Sequence, residues 1–178
     1  MTHIRTALTS ITIALGITIV TLAAVAAGPS SLTEALSGRY SKHFVNGMVD
    51  GERYDSDDVV EIVPVAEDAA YIRASLQFAN GHACDISGVA EAEKNQLVYR
   101  EPVSQSLNGQ QCVLRLSRVG SKLQLDDGAG SCHEMHCGMR GTLTWALPFE
   151  SQRPIRYMAR LKASSDYIAA LKEWHAKQ

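Results

Sequence analysis

The chain has 178 residues, with 17 Lys and Arg against 19 Asp and Glu, a net charge of −2 and a sequence pI near 6.3. So mild an acidic balance argues against nucleic acid as a partner, because phosphate binding draws on a clear basic surplus. Hydrophobic residues make up 46% of the chain, enough for a single domain of this length to bury its own core.

The N-terminus has a short basic head at Arg5 and then no charge from Ala7 to Ala27. Small residues close that run, and both Ala24-Val25-Ala26 and Val25-Ala26-Ala27 fit a signal-peptidase site before Gly28-Pro29-Ser30 breaks the pattern. This is the layout of a secretory signal peptide over residues 1–27. The run is also about long enough to cross a bilayer, at roughly 20 residues, so an uncleaved anchor is the alternative and the membrane's only point of contact. In either case residues 28–178 form one domain that works in the periplasm or outside the cell. Loss of Arg5 takes its charge from −2 to −3.

In the mature part, Ser31 to Gly38 reads as one or two helical turns. A period of two then takes over. Ala70, Ile72, Ala74, Leu76 and Phe78 alternate with Tyr71, Arg73, Ser75 and Gln77, which is a half-buried strand. Asn80-Gly81 follows as a hairpin signal, with His82 beside it. Further strands are expected over residues 59–65, 83–92, 96–101, 111–119, 122–126 and 141–147, with Gly120-Ser121 as a tight turn. His43 reads as a surface strand residue. The acidic stretch from Val49 to Asp58 lacks the glycine a calcium loop would place at its sharp turn, so it reads as a solvated turn. Near the end, Ser164 or Ser165 caps a helix with Asp166 in its first turn. Tyr167, Ile168, Leu171 and Trp174 form its apolar stripe, and Ile155, Met158 and Leu161 mark a shorter helix before it. The expected fold is mainly β (α+β): an antiparallel meander, one face buried and one wet, forming a small barrel or sandwich with C-terminal helices on the sheet or across one end.

Four cysteines, Cys84, Cys112, Cys132 and Cys137, all lie in the mature part, and an even count in an exported chain points to two disulfides. Three pairings are open; the local one joins Cys132 to Cys137 and leaves Cys84 for Cys112. The stretch Ser131 to Gly141, SCHEMHCGMRG, places His133, Glu134 and His136 between the last two cysteines. Thiolate and imidazole would suit zinc or copper. An oxidising compartment favours the disulfide instead, so no metal centre and no cofactor is expected. The stretch reads as a pinned rim loop, the kind of segment that carries recognition on a rigid scaffold. Gly138 and Gly141 flank Met139 and Arg140 and permit tight or left-handed backbone there. Arg140 would either enter a partner's carboxylate-lined cleft or pair at home with Asp126 or Asp127. No nucleophile elbow, phosphate loop or zinc-protease motif is present, and the chain reads as a binder, not an enzyme.

By size, export and disulfide plan, the chain resembles the small periplasmic inhibitor and immunity proteins of bacteria, the lysozyme inhibitors among them. The resemblance implies a β-barrel or sandwich that presents a loop to the catalytic carboxylates of a cell-wall hydrolase. The C-type inhibitors' Ser-Gly-x-x-Tyr signature is one residue short here, in Ser37-Gly38-Arg39-Tyr40, and their aromatic-x-Lys-Gly stretch is missing. The partner-binding residues expected are Arg140, Met139, His136 and His133. The second reading is a periplasmic small-ligand or metal-ion binder, using those histidines or a barrel interior lined by Ile72, Leu76, Leu114, Leu116, Leu125 and Trp145. In a barrel this small, such an interior is usually packed.

Overall fold

A computed structural model describes residues 31–106, 109–128 and 130–178; the expected leader over residues 1–27 lies outside them. Eight antiparallel strands follow one another as neighbours in a single sheet: β1 (Gly38–Gly47), β2 (Arg53–Pro64), β3 (Ala69–Gln77), β4 (Ala83–Glu93), β5 (Gln96–Arg100), β6 (Val113–Val119), β7 (Lys122–Asp126) and β8 (Trp145–Pro148). Four short helices accompany them: α1 (Leu32–Leu36), α2 (His133–His136), α3 (Met158–Lys162) and α4 (Ser165–His175). None of the described helices is long and apolar enough to cross a membrane.

The sheet curls into a nearly closed up-and-down barrel. Its seam is a pair of backbone hydrogen bonds, Arg39 N to Arg153 O at 2.8 Å and Arg153 N to Arg39 O at 2.9 Å. The approach is close enough to require glycine next to it. A Cβ on Gly38, which stands at φ +134°, would lie 3.0 Å from the Arg153 carbonyl oxygen. At the β3–β4 turn, Asn80 and Gly81 both take positive φ, 61° and 68°, the conformation for which that dipeptide is selected in hairpins.

Alternate residues of the strands fill the interior. Ile72, Leu76, Leu114, Leu116 and Leu125 are fully buried in one cluster with Tyr40, Val60, Ile62 and Leu97, while Trp145 packs half-buried at its edge. The interior is therefore a packed core. Helix α1, capped by Ser31, lays Leu36 onto it and crosses one barrel end.

The C-terminal helices lie on the sheet, one of the two placements expected, so the outer face is not wet throughout. Over β2 and β3 it is covered by the C-terminal segment. Val63 and Tyr71 are buried there against Ile155, Leu161 and Tyr167. The terminal helix forms as its sequence indicates, with the Ser164 hydroxyl accepting from Tyr167 N at 3.3 Å. Its stripe is narrower than expected: Tyr167, Ala170 and Leu171 pack inward, whereas Ile168 is 57% exposed. Beneath the helices the buried Glu61 carboxylate takes Arg73 Nε at 2.6 Å and also accepts the Tyr157 hydroxyl.

The buried tyrosines make the barrel sensitive to alkali. Burial raises the Tyr40 and Tyr99 hydroxyls well above the ordinary value of 10.0, and Tyr71 and Tyr167 shift the same way for the same reason. Unfolded tyrosines release their protons near that ordinary value while the folded ones keep theirs. Stability is therefore whole below about pH 10 and falls as pH rises beyond it. Urea midpoints taken between about pH 8 and pH 11 should drop, and Tyr40→Phe should flatten the drop. An unchanged midpoint across that range would contradict the expectation.

Candidate functional site: a clamped rim over a split wall

The eighteen-residue span from Asp127 to Thr144, between β7 and β8, carries the motif singled out in the sequence. Two disulfides form, and of the three open pairings the local one, Cys132 with Cys137, is not the one adopted. Cys84 joins Cys137, and Cys112 joins Cys132. The reason is local. Residues 133–136 form one helical turn, which sends its flanking cysteines to different strands. Cys132 reaches the entrance to β6, and Cys137 forms an isolated bridge with Cys84 on β4. Two disulfides among the described cysteines fit an oxidising compartment outside the cytoplasm.

The clamp sits over a gap in the wall. The pairing of β4 with β5 covers only residues 90–93 against 96–99, so the first half of β4 has no β5 partner. Helix α2 and its flanks fill part of that gap. Gly138 N donates to Ala83 O at 2.7 Å. The Asp85 carbonyl oxygen lies 3.2 Å from His136 Nδ1 and can only accept, so Nδ1 carries a proton. On the far side, His136 Nε2 stands 3.0 Å from Glu101 Oε1, just past the end of β5. One proton lies between these two atoms. His136 thus stitches the two lips of the split, and nothing in the sequence linked it to Glu101, 35 residues away.

The four residues expected to act together are dispersed. His136 turns into the split. His133 lines a separate hollow of about 350 Å³ beside Asp127 and Glu134. Met139 and Arg140 occupy the tip of a turn closed by Gly141 N donating to Gly138 O at 2.8 Å. Met139 is 84% exposed. Arg140 is exposed too and makes no hydrogen bond or ion pair among the described residues. The expected home partners are occupied elsewhere: Asp126 accepts from Gly128 N, and Asp127 accepts from the Thr144 hydroxyl and Cys132 N. The flanking glycines frame a tight turn, one of the two alternatives expected, and serve a further purpose. Neither takes positive φ. A Cβ on Gly138 would lie 2.7 Å from His82 Nδ1, and one on Gly141 would lie 2.5 Å from Cys84 Sγ, so both positions require glycine for room against the clamp.

A metal reading is restricted by the same clamp. Glu101, Cys112 and His136 bring ligand atoms within 4.8 Å of one another, but the Cys112 sulfur is bonded to Cys132 and offers no thiolate. The trio reduces to two ligands, fewer than a stable site uses. The acidic stretch after Val49 is a turn only as far as Glu52; β2 begins at Arg53, and Asp58 points inward, fully buried, accepting from Gln77 N at 2.8 Å and Trp145 Nε1 at 2.9 Å. Compared with protein-family models, with curated proteins and with solved structures, the chain matches none.

Proposed function

We propose that the chain is an exported binding protein that docks on a cell-wall hydrolase and blocks it, its Met139-Arg140 tip entering the enzyme's acidic cleft. One observation carries this reading: an exposed arginine with no hydrogen-bond or ion-pair partner among the described residues stands on a turn whose base is tied to β4 by Cys84–Cys137. A tip held in one shape loses little conformational entropy on binding, and a guanidinium can grip a carboxylate with two parallel hydrogen bonds. The loops at the same barrel end also expose apolar side chains, Val49 at 87% and Val103 at 76%, alongside Met139. Such residues around the arginine can exclude water from a contact at its rim. The apolar leader and the two disulfides support export. An immunity protein guarding its own cell against an exported hydrolase would use the same surface.

The test is capture of muramidases and amidases by the immobilised protein and by its Arg140→Ala variant. Truncating one partner of a desolvated charge pair costs about 2 kcal/mol or more, a loss of roughly thirtyfold in affinity. The melting temperature should stay put, since Arg140 is exposed and makes no hydrogen bond or ion pair among the described residues. Failure to capture any hydrolase, or equal capture by the variant, would rule this reading out.

A further inference from the structure

We infer that the split between β4 and β5 is a second binding site, one for a small organic cation: a protonated amine on a short apolar stem. A cavity of about 440 Å³ opens there, a volume that suits a small molecule. It passes from the outer surface to the edge of the core. Buried Ala74, Ile86 and Tyr99 border it, and these belong to the inward-facing cluster. Its floor can take an apolar stem. Gly88 matters to this shape, since a Cβ there would stand 2.1 Å from Tyr99 Cε2 and drive the ring out of place.

The polar lining specifies the charge. Asp85 and Glu101 come from the barrel wall, Asp166 and Glu173 from α4. Arg73, on the same wall, is already held by Glu61. Glu101 is the decisive group. It is 3% exposed, His136 satisfies its Oε1, and its Oε2 is buried with no hydrogen-bond partner among the described residues. A buried acceptor left without a donor is destabilising, and a ligand N–H relieves that cost. An ammonium supplies several donors and a charge opposite to that of the lining. His136 offsets the charge of Glu101, but a carboxylate or phosphate would still add a like charge beside Asp85, Asp166 and Glu173.

Calorimetric titration of the purified, disulfide-bonded protein with benzylamine, benzyl alcohol and benzoate tests the inference. Benzylamine should bind, and the neutral and anionic analogues should bind at least about tenfold more weakly, the value of one charge-assisted hydrogen bond. Glu101→Gln should weaken benzylamine by a similar factor. Because Glu101 also holds His136, a second variant is needed: Ala169→Leu, on the exposed side of α4, narrows the cavity from outside without touching the barrel. It should weaken benzylamine while leaving the melting temperature unchanged. No heat from benzylamine, benzoate binding as tightly, or full affinity in the folded Ala169→Leu protein would each overturn the inference.

Discussion

Replacing Cys84 and Cys137 together by alanine is expected to lower the unfolding free energy by about 4 kcal/mol, because the disulfide closes 53 residues of chain in the unfolded state. The matching change at Cys112 and Cys132, separated by 20 residues, should cost about 3 kcal/mol. One loop nests inside the other, so the two losses should not simply add. Urea denaturation measures both. For a domain of this size the larger loss corresponds to a fall of roughly 10 °C in Tm. The first variant also frees the base of the Met139-Arg140 turn, so hydrolase binding should fall with it even where the barrel persists. The second leaves that base tied to β4 and should bind nearly as well. A Cys84/Cys137 variant of unchanged stability would mean that this disulfide does not close the loop described.

Arg73→Leu should be nearly as damaging. It would leave Glu61 fully buried with only the Tyr157 hydroxyl to satisfy it. Stranding a buried carboxylate costs about 3–5 kcal/mol. Arg73 itself is 36% exposed, and water entering from that side places the expectation at the lower end, about 3 kcal/mol. The control is the double variant Glu61→Leu/Arg73→Leu, which removes both charges and should regain most of the loss, since apolar replacements of buried pairs are tolerated. If the single variant costs no more than the double, Glu61 is not the isolated charge that its burial implies.

Much of the fold was legible in the sequence, and the gaps have a common cause. Strand β3 was readable because its inward positions Ala70, Ile72, Ala74 and Leu76 are all apolar. Strand β1 was not, because on the face that Tyr40 buries Lys42 is exposed and the inward residue at the far end, Asn46, is polar. The opening of β2 has the same character. Ser56 and Asp58 face the interior, paired with Asn46 and with Trp145, and they read as an acidic turn. The covered outer face left a trace in Val59-Val60-Glu61-Ile62-Val63, a run too apolar for a strand with one wet side. The disulfide pairing was not legible, because it depends on which strand edges lie beneath α2. Glu101 carried no mark as a site residue. Its meaning comes from His136 and from the place where the pairing of β4 with β5 stops.

The rim's rigidity and the shape of the split both rest on the two disulfides crossing from α2 to opposite sides of the gap. Mapping them without reduction tests that arrangement most directly. Trypsin, followed by cleavage after Met135 and Met139 with cyanogen bromide, separates all four cysteines. The expected products are residues 74–94 linked to 136–139 and residues 101–115 linked to 123–135. Residues 123–135 linked to 136–139 would mean that Cys132 pairs with Cys137, which would contradict the clamp and with it both the rigid tip and the stitched split.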